Sequence, residues 1–310
     1  MEEKSSLPES LVRTNTGLHG DEGIQWLDRL PAILARFRQE WSLELGPPFP
    51  RLSYNYAAPA LRADGTQAVI KVGYPGREFL TEAHALQFYG GRGAVRLLEA
   101  NLEEGVLLLE RLTPGTMLLE VEDDQEAMTI ASSVMRELWQ PAPAHHPFPT
   151  VADWARGLIR LREEFGGATG PFPARLVEEA EQLFGGLLAT QAEPVVLHGD
   201  LHHFNILKAE REPWLAIDPK GVVGEPAYEV GALLRNPIPE MRMWPNLDRI
   251  LARRIDQLSE ELGFSRERIR DWAVAQAVLS AWWTYEDKGD NLAGDIASAE
   301  LLATVKAHGT

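Results

Sequence analysis

The sequence of 310 residues contains no cysteine. That absence excludes a disulfide framework, a thiolate nucleophile and any cysteine-bound metal, and it fits a reducing compartment. There is no G-x-x-x-x-G-K-[ST] segment, which removes the P-loop class, and no G-x-S-x-G elbow, which weakens a serine hydrolase. A glycine-rich G-x-G-x-x-G loop is also missing. Long apolar stretches are absent as well: the uncharged, apolar run Trp272 to Tyr285 falls short of the roughly 20 residues that span a bilayer. Residues 1–10 carry charges and no apolar core, so no signal peptide is expected and the expected location is cytoplasmic.

Positive charge is scarce too. The formal net charge is -16, of which residues 1–112 carry -3 and residues 113–310 carry -13. A surface this acidic repels nucleic-acid phosphates and anionic membranes, so neither is an expected partner. It attracts a small cationic molecule, which charge-assisted hydrogen bonds would hold. Oligomeric state cannot be read from the sequence.

The most informative segment that is present is His198-Gly199-Asp200-Leu201-His202-His203-Phe204-Asn205, followed by Ile217-Asp218-Pro219-Lys220-Gly221. Val195-Val196-Leu197 reads as a short buried strand and Phe204 to Leu207 as a second, which places Asp200 on the loop between them. Pro213 to Ile217 is a further apolar run that ends abruptly, so Asp218 stands where a strand opens into a turn. Any one of these residues alone would be an ordinary turn former. Together they match what phosphoryl transfer from ATP to an alcohol requires: a carboxylate to align the hydroxyl and accept its proton, and oxygen ligands for Mg2+.

This double motif resembles the signature of the aminoglycoside and hydroxyurea antibiotic resistance kinases, the group that includes streptomycin 6-phosphotransferases, and the resemblance runs from about residue 20 to 300. It implies a protein-kinase-like fold with Asp200 as catalytic base and Asn205 and Asp218 as magnesium ligands. It also implies ATP as cofactor and an aminoglycoside such as streptomycin, or hydroxyurea, as acceptor. Asp218-Pro219-Lys220-Gly221 stands where protein kinases carry Asp-Phe-Gly.

A kinase-like fold needs a strand lysine, positioned by a glutamate on the next helix, to hold the phosphates. Gln67 to Val72 is a β-rich run with Lys71 inside it. Lys4 and Lys71 are the only lysines in the first hundred residues; a lone lysine within an apolar strand is not there for solubility. Gly76 to Tyr89 follows as a helix with Phe79, Ala83, Leu86 and Tyr89 on one face, and it carries Glu82. The expected nucleotide-covering hairpin includes Ser53 to Ala60 with its later turn at Asp64-Gly65. Lacking the glycine motif, it must use side chains such as Ser53 or Asn55, or be a hairpin that approaches the phosphates less closely. By the resemblance, Glu110, Arg111 and Leu112 form the hinge that meets the adenine.

Two acidic clusters are substrate candidates: Trp283, Glu286 and Asp287, at the end of a long apolar helix where carboxylates oppose the dipole, and Glu225. Glu229 lies in a first helical turn; by analogy with the kinase fold that the motifs resemble, it is expected to brace the catalytic loop, and His198 is expected to lie buried beside that loop. The remainder reads as scaffold. A helix is expected over 21–45 with Ile24, Leu27, Leu30, Leu34 and Phe37 inward and a bend at Pro31. Further helices are expected over 123–139, 151–165, 173–188, 226–235, 246–262, 266–285 and 295–307. A β-rich part, 1–112, and a helical part, 113–310, give an α+β architecture of two lobes with the site in the cleft between. Three rivals stand beside this reading: a kinase of an unrelated small metabolite, a transition-metal hydrolase built on His198, Asp200, His202 and His203, and a non-catalytic, kinase-like nucleotide binder.

Overall fold

The computed structural model describes residues 7–50, 52–237, 240–288 and 291–306. The chain divides into two units, one holding residues up to Gly91 with Val95–Leu112, the other Arg92–Ala94 and the chain from Thr113. Lys4, Gly289, Asp290 and the end of the last expected helix lie outside the described residues.

The first unit is built on the Lys71 strand. Helix α1 (Glu9–Glu40) leads into strands β1 (Leu43–Leu45), β2 (Tyr56–Arg62) and β3 (Gln67–Val72). Helix α2 (Arg77–Tyr89) and the hairpin β4 (Leu97–Asn101) and β5 (Val106–Glu110) follow. The strands form an antiparallel sheet in the order β1-β2-β3-β5-β4. Successive side chains of a strand face opposite sides. Ala68, Ile70 and Val72 therefore join Trp26, Leu27, Leu30, Ile33 and Phe37 of α1 in one apolar cluster. Lys71 points the other way, toward Glu82 of α2.

The α2 face is as its spacing predicts: Phe79, Ala83, Leu86 and Tyr89 are all buried. Helix α1 departs from expectation in three respects. It begins at Glu9, a full twelve residues before the predicted start, and its only non-helical dihedrals fall at Gly20 (φ 54°, ψ -131°). The expected start at Asp21 is thus the restart of a kinked helix. Pro31 makes no break and lies on the exposed side of the helix. The inward face includes Trp26 and Ile33, while Ile24 is 44% exposed.

In the second unit, β6 (Pro114–Met117) precedes α3 (Asp124–Leu138), capped by the Asp123 side chain, and β7 (Gln140–Pro141). The helix expected over 151–165 breaks at Arg156 into α4 (Val151–Ala155) and α5 (Gly157–Glu164), before α6 (Ala174–Ala189). Next come β8 (Val195–Leu197), β9 (Ile206–Ala209), β10 (Trp214–Ala216) and β11 (Val222–Gly224). The segment expected as one helix over 226–235 is a 3-10 turn, Pro226–Glu229, and the short α7 (Val230–Leu234). Helices α8 (Leu247–Leu262), α9 (Arg266–Glu286) and α10 (Leu292–Thr304) complete the unit.

Its core is α9. Trp272 through Leu279 are buried without interruption, so this helix is apolar all round because it is enclosed all round. The small sheets β10-β9-β6 and β11-β8-β7 hold the loops that carry Asp200, Asn205 and Asp218. This is an α+β, protein-kinase-like fold, with a β-rich lobe and a larger helical one.

The interior strand β5, paired on both sides, should be among the least forgiving elements of the first unit. Leu108, wholly buried and paired with Ile70 beside Lys71, is expected to cost about 2–5 kcal/mol when replaced by alanine, read from the shift of the urea midpoint.

Candidate active site

The backbone brings two loops of the second unit together. Strand β8 ends at Leu197, paired with Val222 of β11, so the residues just beyond must turn side by side. The carbonyl of His198 accepts from Lys220 N (2.7 Å) and Gly221 N (3.2 Å), and Asn205 O accepts from Ile217 N (2.9 Å). Asp200 and Asn205 on one loop and Asp218 on the other are held as neighbours by this ladder. The second expected strand starts two residues late, at Ile206, which leaves Asn205 on the loop. Asp218 has φ 59°, a left-handed conformation that aspartate tolerates better than most residues.

His198 locks the pair. Its Nδ1 accepts from Asp200 N at 3.2 Å, and its Nε2 lies 2.7 Å from Ile217 O. A backbone N–H can only donate and a carbonyl can only accept, so the proton sits on Nε2 and the ring is neutral. Burial pushes its pKa down to about 4, which agrees. Beneath it Glu229, fully buried, accepts from His198 N (2.7 Å) and Gly199 N (2.8 Å). Burial raises this carboxyl to about 7 even though the two N–H groups favour the charged form.

The Asp200 carboxylate is half-buried, with 26% of its side chain accessible. Its Oδ1 accepts from Arg235 at 3.0 Å and its Oδ2 lies 3.5 Å from His202 Nε2. Burial alone would raise its pKa, but His202, Arg235 and Lys220 outweigh that and hold it well below the usual carboxylate range. Asn205 Nδ2 donates to Asp200 O at 2.9 Å. Only the nitrogen end of the amide can make that bond, so Oδ1 is left as an acceptor. An amide oxygen beside a carboxylate is the hard-oxygen donor set that suits magnesium.

In the first unit, Lys71 Nζ lies 2.5 Å from Glu82 Oε1, with both side chains under a tenth exposed. The N–H of Glu110, at the end of β5, is spent on Arg96 O. Ser53 is exposed and Asn55 half-buried at the mouth of β2.

The expected substrate residues separate. Glu225 is 1% exposed and its carboxylate is held by Arg268 and by Trp272 Nε1. It is a buried anchor for α9, contrary to the expectation that it lies near the substrate. Glu286 is engaged by both Arg160 Nε (2.8 Å) and Nη2 (2.9 Å), and with Trp282 and Tyr285 it lines an open hollow of about 870 Å³. Trp283 packs edge-on against Trp154 with ring centroids 5.3 Å apart. Asp287 forms the exposed C-cap of α9.

Sequence reasoning missed Arg235. Its one signal was a charge directly after the apolar run Val230–Leu234. The hydrolase rival loses its ligands: His198 is committed to two backbone groups, and among the described residues no three His, Asp or Glu side chains converge as a metal site.

A buried strand lysine paired with a helix glutamate, and an Asp-x4-Asn loop bonded to a second aspartate loop, define a small-molecule kinase of the protein-kinase-like class. A model of the aminoglycoside/hydroxyurea antibiotic resistance kinases matches residues 55–288. The chain is similar to streptomycin 6-kinase of Streptomyces griseus, 34% identical over 96% of this chain and 97% of that protein. It is also similar to hydroxyurea phosphotransferase of Kitasatospora aureofaciens, 33% identical over 96% and 85%. An aminoglycoside phosphotransferase solved as a ternary complex with ADP and hygromycin B shares the fold, with a TM-score of 0.64 at 14% identity over 90% of this chain and all of that one. The chain belongs to the aminoglycoside/hydroxyurea antibiotic resistance kinase family.

The Glu229 brace has a pH signature. A carboxyl raised from 4.5 to about 7 contributes stability that is full below its unfolded value and is lost as pH rises through about 7. His198 and His203, pushed down to about 4 and about 3 chiefly by burial, act with the opposite sign, costing stability as pH falls below 6.5. Subtracting the profile of Glu229→Gln from the parent isolates the first term. The difference in unfolding free energy should shift against the parent between pH 5 and pH 8, and a flat difference would refute the assignment.

Proposed function

We propose that this kinase moves the γ-phosphoryl group of ATP to a hydroxyl of a small molecule, either a cationic aminoglycoside of the streptomycin type or hydroxyurea, which is uncharged. The observation that carries this reading is the held, ionised Asp200 beside an amide oxygen and the Asp218 carboxylate, on loops joined by backbone hydrogen bonds. Phosphoryl transfer asks the protein for positioning and charge stabilisation more than covalent chemistry. Asp200 Oδ2, opposite the oxygen held by Arg235, orients the acceptor hydroxyl and takes its proton. Asn205 Oδ1 and Asp218 would hold magnesium, which supplies charge neutralisation on the phosphates. Lys71, kept in place by Glu82, contacts phosphate oxygens; Ser53 and Asn55 lie toward the nucleotide, and Arg111 and Leu112 meet the adenine.

The acidic excess of residues 113–310 supports a cationic acceptor, since it raises the local concentration of such a molecule. The similarity to a hydroxyurea phosphotransferase supports the second acceptor. Both lead to one assay. ADP release with Mg2+ and ATP should appear on adding streptomycin or hydroxyurea, and the better acceptor will show the higher kcat/KM. Asp200→Ala is expected to lower turnover by about two to four orders of magnitude while ATP affinity stays close to that of the parent. Turnover within a few-fold of the parent would remove Asp200 as the base.

A further inference from the structure

The segment between β1 and β2 carries Ser53 and Asn55, and it is built unlike a glycine-rich loop. Pro47, Pro48 and Pro50 occupy its first half, each fixing its own φ. Gly46 N donates to Pro59 O (2.8 Å) and Phe49 N to Ala57 O (3.0 Å), which tie that half to β2. The second half is tied by something else, the first segment of α1. Ser10 Oγ donates to Leu52 O at 2.5 Å, and Asn15 Nδ2 donates to Tyr54 O at 3.0 Å as well as to Leu11 O within its own helix.

We propose that residues 9–19 of α1 are a positioning brace that holds the segment 52–55 in its nucleotide-binding shape, with Asn15 as the principal strut. The proposal rests on the reading above of Ser53 and Asn55 as nucleotide-facing.

Three further observations show that the segment is fitted to this place. Asn15 is only 2% exposed, and a polar side chain buried to that degree is retained where its hydrogen bonds are made. The segment reaches its position through the kink at Gly20, and the return is so tight that a Cβ on Gly23 would lie 2.2 Å from Asn15 O. It also grips the far side of the Lys71 strand: His19 stacks on Tyr74 with centroids 3.9 Å apart, and Tyr74 Oη donates to Glu22 at 2.5 Å. Asn55 packs its Oδ1 against Gly73, immediately after that strand. Helix, loop and strand end thus form one packed assembly.

The physical consequence concerns ordering. A mobile loop that closes over a nucleotide loses conformational freedom on binding, and that loss subtracts from affinity. Prolines and a docked helix remove most of that freedom beforehand. The sequence thereby substitutes stiffness for the close backbone approach that glycine would have allowed.

Asn15→Ala separates a brace from a merely stabilising helix. Calorimetric titration of the full-length protein with MgATP should show Kd raised roughly 3- to 10-fold, the worth of one such hydrogen bond. Amide exchange at residues 52–55 should accelerate, while kcat at saturating ATP stays within twofold. Ser10→Ala should act in the same direction and more weakly, and it keeps the test intact should Asn15→Ala fold poorly. A parental Kd in both variants overturns the brace, as does a lowered melting temperature with unchanged ATP affinity. Failure of the parent itself to bind MgATP would instead remove the nucleotide reading, and the brace with it.

Discussion

A neutral imidazole sets the geometry on which the rest of the site depends. His198 accepts the Asp200 N–H on one ring nitrogen and donates to Ile217 O from the other, so it spans the two loops as a rigid strut of fixed polarity. Neither an imidazolium nor the other tautomer satisfies both partners. Enclosure supplies the needed neutrality, since burial disfavours the charged ring. The hydrogen-bond ladder from His198 O to Lys220 and Gly221 then fixes the register of the loops, and the spacing of Asp200, Asn205 and Asp218 follows from it. Glu229 does for the backbone of His198 and Gly199 what a helix cap does for free N–H groups: it satisfies donors that a tight loop leaves unpaired.

Electrostatics around Asp200 work against its burial. A carboxylate withdrawn from water is costly unless it is paired and hydrogen-bonded, and here Arg235 provides the close pair, while His202 and Lys220 add attraction. The group stays ionised and keeps one oxygen turned from the guanidinium. Among carboxylates of the second unit, contrast Glu225, whose pairing with Arg268 and Trp272 leaves it buried and committed. Two acids close in sequence to the same motif therefore have opposite availability. The difference lies in how many donors each meets in the folded chain.

That contrast shows what the sequence could and could not convey. The strand Gln67–Val72, the inward face of α2 and the loop positions of Asp200 and Asp218 were legible because short-range periodicity and abrupt changes of composition define them locally; Asn205, expected inside a strand, lies on the loop before β9. Glu82 was legible as the partner of Lys71 because strand and helix are adjacent in the chain. Arg235 was not: its pairing spans 35 residues and depends on where α7 comes to rest. The burial of Glu225 depends likewise on α9, more than forty residues away. Helix α1 was misjudged at its start because Gly20 looks like a terminus in sequence, whereas the chain resumes its helix beyond the kink and docks its first part elsewhere.

The same kink bears on the segment between β1 and β2, which the nucleotide reading proposed above makes the covering loop. Removing glycines from a nucleotide loop sacrifices the closest backbone contact, and side chains must then make up the approach from a loop that is already in place. Proline alone can stiffen a backbone but cannot hold it against a neighbouring element. External hydrogen bonds can, and the carbonyls of Leu52 and Tyr54 receive theirs from Ser10 and Asn15. A helix continuing straight from residue 40 back to residue 9 would carry those donors away from the sheet. The left-handed Gly20 turns them back onto it, so a conformation open mainly to glycine moves from the loop to the element that supports it.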